Sequence, residues 1–412
     1  MSPPIKAKRV AETLLSSLGL QLVSCTVLQT LWAGYGHICA ITARAASDQV
    51  NPNLNGASGK LKVGPNATYH LILKLISPPK SDGDEGHLRK LLSYEVEQYF
   101  YQEVTPHLDQ DVAVARCLAS TGHLQQSDNP ELQGLTATLM EDLRPRFPVA
   151  GEKRSILSQR QVHAALEWLA KFHAGTWKLL PDDLNRYLLP PLKEMKRRQV
   201  DGSSGGDKLW LNGGYTYLAT RRTELASLAD DTYSEWCSAF CEPMEGSTLS
   251  VAERVASFLT PRGRPFESYI HGDVKSENLF TTDSGDQVAF FDFQYVGLGF
   301  GVCDLAKLFT CSVPLQMLTE DYDVPDELPM DKGEKDLLER YRKVLVEHRP
   351  PHMKDFDYPM EVLIRHWETA LVDWCRFQAS WGFWGNTEWL EARVRSILKD
   401  QTWVEWLKSE TC

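Results

Sequence analysis

Long apolar runs are what this 412-residue chain most clearly lacks. No segment reaches the roughly 18 consecutive apolar residues that a membrane-crossing helix needs, so no membrane partner is expected. The N-terminal stretch Met1-Ser-Pro-Pro-Ile-Lys-Ala-Lys-Arg9 leads into no unbroken apolar core, and no secretory leader is expected either. An excess of basic residues is also missing. Lys and Arg total 44 against 55 Asp and Glu, a formal net charge of −11, which argues against a general nucleic-acid binder. That charge would suit cationic substrates if it gathers near a cleft, and otherwise serves solubility. Paired cysteine motifs are absent as well: the nine cysteines include no Cys-x-x-Cys, and Cys237 and Cys241, spaced for one helix face, have no matching histidine pair. An odd count without framework spacing implies reduced thiols and an intracellular, cytoplasmic protein.

What is present is enough apolar material, 42% of residues, for more than one core, so two lobes are expected. The most informative stretch runs from 268 to 294. Tyr269-Ile270 leads into His271-Gly272-Asp273, and two β-prone runs, Leu279 to Thr282 and Gln287 to Phe291, flank the turn-forming Asp283-Ser-Gly-Asp286. If Thr282 faces Gln287 across that turn, Asn278 lies opposite Phe291 and beside Asp292. An amide oxygen and a carboxylate from adjacent strand ends suit Mg²⁺, which takes hard oxygen ligands and needs few from the protein when phosphates supply the rest. Asp273, on the loop entering the hairpin, can orient and deprotonate a hydroxyl, and Lys275 can set a positive charge by the transferred phosphoryl group. His-x-Asp-x-x-x-x-Asn followed by an Asp closing the next strand is the phosphotransferase arrangement of kinases.

His271-Gly272-Asp273 through Asn278, with Phe291-Asp292-Phe293-Gln294 and Asp304-Leu305-Ala306, resembles the aminoglycoside phosphotransferase and choline kinase superfamily, most of all its ecdysteroid-kinase-like branch of small-molecule kinases. The likeness runs from about residue 30 to the C-terminus and is strongest over 269–309. It implies an α+β, bilobal protein-kinase-like fold: an N-lobe, 1–143, with a small antiparallel sheet and one main helix, a hinge at 140–144, and a larger, mostly helical C-lobe, 144–412, holding the catalytic loop 269–294. It further implies ATP and Mg²⁺ bound between the lobes and a phosphate passed to a small-molecule alcohol.

Along the chain, residues 10–22 place Val10, Leu14, Leu18 and Leu22 at helical spacing. Two β-prone runs between Cys25 and Ala43 flank Ala33-Gly34-Tyr35-Gly36, which is either a plain hairpin turn or one whose Gly34 and Gly36 let backbone amides approach phosphates. Residues 44–66 read as a long polar connection. Tyr69 to Ile76 reads as a buried strand containing Lys74, a candidate for holding the α and β phosphates, with a lysine snorkelling at a strand edge as the alternative. On the helix expected over Leu88 to Glu103, the resemblance points to Glu97 as the partner of Lys74, with Glu95 in reserve. Two further strands are expected over 112–118 and 135–140. The second enters the hinge, where the resemblance has Met140, Asp142 and Leu143 hold adenine through main-chain atoms.

Helical segments are expected at 159–180, 249–259, 334–348, 359–381 and 387–408, and flexible connections at 200–214. His173 reads as a packing histidine. Asp304 reads as a helix-starting cap bracing the catalytic loop. The Trp-rich C-terminal end reads mostly as core, with Asp373 and a tryptophan face as a possible seat for a quaternary ammonium or a flat apolar group.

The leading expectation is therefore an ATP- and Mg²⁺-dependent small-molecule kinase: Asp273 and Lys275 catalytic, Asn278 and Asp292 binding metal, Lys74, Glu97, Gly34, Gly36, Met140, Asp142 and Leu143 binding nucleotide. Choline-like amines, aminoglycosides, steroid alcohols and sugars all stay open as acceptors, and oligomeric state is left open. A protein kinase fits less well, because His-Gly-Asp and Asp-Phe-Gln replace His-Arg-Asp and Asp-Phe-Gly, no Ala-Pro-Glu follows, and only twelve residues separate Asp292 from Asp304. A nucleotide-binding pseudokinase is the non-enzymatic alternative.

Overall fold

Leu71, Leu73 and Leu75 alternate with Ile72, Lys74 and Ile76, a period of two that drives this segment into a strand with two buried faces. The computed structural model describes residues 5–45, 67–79, 84–122, 132, 134–202, 208–321 and 323–411. Most of the polar connection expected over 44–66 lies outside them, as do residues 203–207. The chain divides into two compact units, Met1–Arg146 with Met195–Lys208, and Phe147–Glu194 with Leu209–Cys412.

In the first unit, α1 (Ile5–Ser17), β1 (Leu20–Thr30), β2 (Gly36–Ala45), β3 (Thr68–Ile76), α2 (Glu85–Tyr99), β4 (Cys117–Ser120) and β5 (Thr136–Glu141) follow in order. The five strands form an antiparallel sheet ordered β1-β2-β3-β5-β4. One face packs Val10, Leu14 and Leu18 against Cys39, Ile41, Leu71, Leu73 and Leu139. The odd residues of β3 bury there, which turns Lys74 to the other face. The first helix ends at Ser17 rather than near 22, because Gly19 takes a left-handed φ of 72°, and Leu20 then opens β1. The strand expected over 112–118 begins only at Cys117. Asp84 caps α2 by accepting from His87 N at 2.7 Å. The helical run on to 103 is not uniform: it continues past Tyr99 as a single π-turn over Phe100–Val104.

The second unit holds β6 (Val149–Ala150), α3 (Gln159–Thr176), the start of α4 (Pro191–Asp201), α5 (Arg222–Asp230), α6 (Glu235–Cys241), α7 (Val251–Leu259), β7 (Glu267–Ile270), β8 (Leu279–Thr281), β9 (Val288–Phe290), β10 (Gly297–Phe300), α8 (Val302–Ser312), α9 (Lys332–Glu347), α10 (Met360–Trp381), α11 (Thr387–Lys399) and α12 (Gln401–Glu410). The helix α3 starts at a capping box in which Ser158 and Gln161 satisfy each other's backbone. The segment expected as one helix over 387–408 breaks at Asp400, whose carboxylate accepts from Thr402 N at 2.9 Å and caps α12. Trp367, Trp389 and Trp403 are wholly buried, so most of the aromatic C-terminal end is core. The α+β composition, a small antiparallel sheet unit followed by a mostly helical one, is as expected. Among the described residues no helix is long and apolar enough to cross a membrane.

Candidate active site

Beta-strands β8 and β9 pair Leu279 with Phe290 and Thr281 with Val288, the register expected from the Asp283-Ser-Gly-Asp286 turn. Phe291 N donates to Asn278 O at 3.0 Å, so Asn278 lies opposite Phe291 and next to Asp292. The Asn278 side-chain amide donates from Nδ2 to the Asp273 carbonyl and to Asp273 Oδ2, both at 2.9 Å. This leaves the amide oxygen as the atom available to a cation. Lys275 Nζ also reaches Asp273 Oδ2, at 3.1 Å, and Glu277 at 3.3 Å. Burial lowers the Lys275 pKa, but the two carboxylates outweigh it and hold the ammonium above its ordinary range. Asp273 Oδ1 has no hydrogen-bond partner among the described residues, so one carboxylate oxygen is uncommitted.

Asp292 adopts φ = 68°, a left-handed conformation that a side chain normally avoids. Its Oδ1 accepts from Gln294 Nε2 at 2.6 Å. A carboxylate and an amide oxygen from neighbouring strand ends match the hard-oxygen preference of Mg²⁺. Among the described residues no cluster of three or more His, Cys, Asp or Glu could hold a metal. Two oxygen donors suit an ion that shares its shell with phosphates better than one caged by protein.

The loop carrying Asp273 is held from below by Asp304, which is wholly buried in α8. Its carboxylate accepts from His271 N at 2.6 Å, Gly272 N at 2.9 Å and His173 Nε2 at 3.2 Å. It braces the loop as expected but does not cap its own helix, whose capping position is Gly301, which offers no side chain. Burial raises the Asp304 pKa, and the His173 hydrogen bond, with the electrostatic pull of His173 and Lys307, brings it below the ordinary value. His173, also bonded through Nδ1 to Tyr341 at 2.8 Å, is a packing residue. His271 donates from Nε2 to Phe291 O at 3.0 Å and accepts from Asp273 N at Nδ1, so a neutral ring ties the loop to the hairpin. Burial lowers its pKa.

In the sheet unit, Lys74 Nζ meets Glu97 Oε2 at 2.6 Å with both residues buried. Glu95 instead pairs with Arg198 at 2.8 Å. The turn between β1 and β2 accounts for its own glycines: Gly34 N donates to Leu31 O at φ = 74°, and a Cβ on Gly36 would lie 1.9 Å from Leu75 O. Met140 is buried in β5 between Ile72 and Cys117. The Asp142 carboxylate is held by Arg144 N and Nε at 3.0 and 2.9 Å, and Leu143 O accepts from Arg146 N. The Asp142 side chain is thus committed within its own turn.

The sequence profile of the ecdysteroid kinase-like family matches residues 57–348, most of the chain. This chain belongs to that family. The match is narrower than the span from 30 to the C-terminus expected from the sequence, and it takes in the sheet lysine and the whole catalytic loop. Membership makes the chain a small-molecule kinase by class. No curated protein sequence matches it. Solved structures to which it is similar include macrolide 2'-phosphotransferase from Brachybacterium faecium, at 14% identity over 91% of both chains with a TM-score of 0.42. Another is choline kinase from Cryptosporidium parvum Iowa II, at 11% identity over 95% of this chain and 89% of that one, TM-score 0.40. A third is choline kinase from Streptococcus pneumoniae, at 13% identity over 98% of each, TM-score 0.36.

Sequence reasoning missed two supports of this ecdysteroid kinase-like site. The stretch 208–214 is not a flexible connection: Trp210 N, Gly213 N and Gly214 N donate to Val296 O, Leu298 O and Tyr295 O, and Trp210 is buried. Gly272, at φ = 83°, packs so closely on this stretch that a Cβ would lie 2.4 Å from Tyr295 O and 2.7 Å from Gly214 N. The second support is Lys307, buried, whose Nζ donates to Gly272 O at 2.6 Å. A lysine one turn after Asp304 in a largely apolar helix was the available signal.

Proposed function

We propose that this family member is an ATP- and Mg²⁺-dependent phosphotransferase that moves a phosphoryl group to a hydroxyl of a small molecule. The observation that carries the reading is Asn278, whose side-chain nitrogen holds Asp273 while the backbone bond from Phe291 N sets the residue opposite the strand end that carries Asp292. In this reading residues 1–143, with a hinge at 140–144, bind the nucleotide, and residues 144–412 supply the catalytic loop 269–294 and the acceptor-binding helices. Lys74, fixed by Glu97, takes the α and β phosphates, as the strand lysine of kinases does. Met140, Asp142 and Leu143 contact the adenine through main-chain atoms, and the Gly34–Gly36 turn lies over the phosphates. Asn278 and Asp292 hold magnesium. Eight free thiols among the described residues are in keeping with a cytoplasmic setting.

Mg-ATP, when bound, supplies an electrophilic γ-phosphorus whose oxygens are partly neutralised. The chain's own residues do the positioning that dominates such transfers. Asp273 Oδ1 would orient the acceptor hydroxyl and take its proton as the acceptor oxygen replaces ADP on the transferred phosphoryl group, one P–O bond forming as the other breaks, while Lys275, kept protonated by its two carboxylates, would set positive charge near that group. Asp304 keeps the loop from drifting by holding two of its backbone amides.

The test is transfer into a metabolite extract. Purified protein with Mg-ATP should make at least one metabolite heavier by one phosphate, and Asp273→Asn should not, although it still binds nucleotide. Equal product from both proteins would remove Asp273 from the chemistry.

A further inference from the structure

Helix α2 carries Glu97, the partner of Lys74, and two residues earlier it carries Glu95. Two residues turn about 200° around a helix, so with Glu97 buried against Lys74, Glu95 stands on the opposite side. That side is not bare. Arg198 donates from Nη2 to Glu95 Oε2 at 2.8 Å and from Nη1 to Oε1 at 3.4 Å, across 103 positions of sequence. The arginine side chain is 13% exposed and the glutamate 32%. Arg198 lies in the latter part of α4, which from Met195 onward groups with the sheet unit.

An arginine fork that meets both oxygens of a carboxylate fixes orientation as well as distance, and with the guanidinium mostly buried, water screens it little. Other holds on α2 act at its first turn or on its sheet side. Tyr35 Oη meets His87 Nδ1 at 2.5 Å, beside the Asp84 cap, and Gln98 Nε2 donates to Ala137 O at 3.0 Å. Past Tyr99 the helix gives way to the π-turn over Phe100–Val104, so no further α-helical turn stiffens the end that bears Glu97. Glu95 and Glu97 are about 3 Å apart along the helix axis, which makes the lever between them short and rigid. The Lys74–Glu97 contact, at 2.6 Å, leaves no slack for a rotated helix.

Resting on the phosphotransferase reading above, in which Lys74 takes the α and β phosphates, we propose that Arg198 is a positioning residue for the nucleotide. By gripping Glu95 on the outer side of α2, it sets the rotation of the helix that brings Glu97 against Lys74, and through that pair the affinity for the phosphate portion of a nucleoside triphosphate. Arg198 itself touches no reactant. The two glutamates thus divide the work: one orders the lysine, and the other orders the helix that presents the first.

Charge reversal tests this. Mg-ATP and adenosine are titrated into the full-length wild type, Arg198→Glu, Glu95→Arg and the protein carrying both changes. Each single reversal should weaken Mg-ATP about fivefold or more and leave adenosine, which has no phosphates for Lys74 to hold, within about twofold. The double reversal rebuilds the ion pair with its polarity exchanged and should recover most of the Mg-ATP affinity. Hydrogen exchange over residues 88–99 should quicken in each single variant and slow again in the double one. If a reversal does not fold, Arg198→Gln and Glu95→Gln decide by the same two titrations. Unchanged Mg-ATP affinity in the single variants, equal losses for Mg-ATP and adenosine, or no recovery in the double reversal each overturns the proposal. Failure of the phosphotransferase reading looks different: the variants shift Mg-ATP binding as expected and no metabolite gains a phosphate from the wild type.

Discussion

Asn278 Nδ2 lies 2.9 Å from Asp273 Oδ2, so the residue proposed to hold metal also orients the residue proposed to take the proton. Replacing it separates the two roles. Asn278→Asp keeps an oxygen for the metal but sets two carboxylates side by side, and like charges that close resist joint ionisation. The acid limb of the kcat/KM profile should move up by about one pH unit or more. Asn278→Ala should lower kcat by on the order of 10²-fold and raise the Mg²⁺ concentration needed for half-maximal rate. A profile and Mg²⁺ requirement indistinguishable from wild type would exclude both roles.

The Lys74–Glu97 pair is buried on both sides, with side chains 9% and 6% exposed. Removing one partner strands a charge in low dielectric, so Glu97→Ala should cost about 3–5 kcal/mol in urea unfolding. Lys74→Met with Glu97→Leu should recover most of that stability, because the stranded charge is gone, while transfer stays lost. The double-mutant cycle would show a large coupling energy.

Asp292 stores backbone strain at a position proposed to hold the metal. Asp292→Ala and Asp292→Gly lose the same side chain and the same contact to Gln294, so their difference isolates the backbone. Glycine should be more stable than alanine by about 1–2 kcal/mol, and both should be inactive. Equal melting temperatures for the two variants would show that the conformation relaxes once the carboxylate is gone.

Asp304→Asn keeps shape but turns donors toward donors. With the bonds from His271 N, Gly272 N and His173 weakened, the loss should be about 3 kcal/mol, and kcat should fall although residue 304 is not proposed to touch a reactant. Calorimetry and single-turnover rates check the two halves of this statement. Stability without any loss of rate would make Asp304 a fold residue only.

Stability should also fall on mild acidification. Burial lowers the pKa of His271, and burial together with Arg264 pushes that of His366 down to about 3. The unfolded chain binds protons near pH 6.5 while the folded one does not, so the stability contributed by the neutral rings is complete above about pH 6.5 and is lost as pH falls toward the folded values. Each such histidine contributes a slope of about 1.4 kcal/mol per pH unit inside its window. His366→Phe should flatten urea unfolding midpoints between pH 6.5 and 4.5; an unchanged slope would mean that His366 is protonated in the fold.

Periodicity and turn chemistry made much of the molecule legible. The hairpin register follows from four turn residues, and Asn278 falls beside Asp292 because strand pairing advances both chains in step. Alternation in Tyr69–Ile76 put Lys74 opposite the face that packs on α1. Boundaries were less legible where two periods overlap: Leu18, Leu20 and Leu22 satisfy a helix and a strand alike, and only the left-handed Gly19 decides. The Gly-rich 208–214 looked flexible because glycine reports freedom and close packing with the same letter.

The order of chemistry along the chain, a strand lysine, a loop aspartate, then an amide and a carboxylate at paired strand ends, was determined by sequence alone, because local hydrogen bonding and side-chain period are short-range properties. Which glutamate meets Lys74, why position 272 has no room for a side chain, and that Lys307 and Asp373 share one cavity were decided only by tertiary structure. Those contacts join residues 23 to 66 positions apart, and no local period records which distant surfaces close packing will press together.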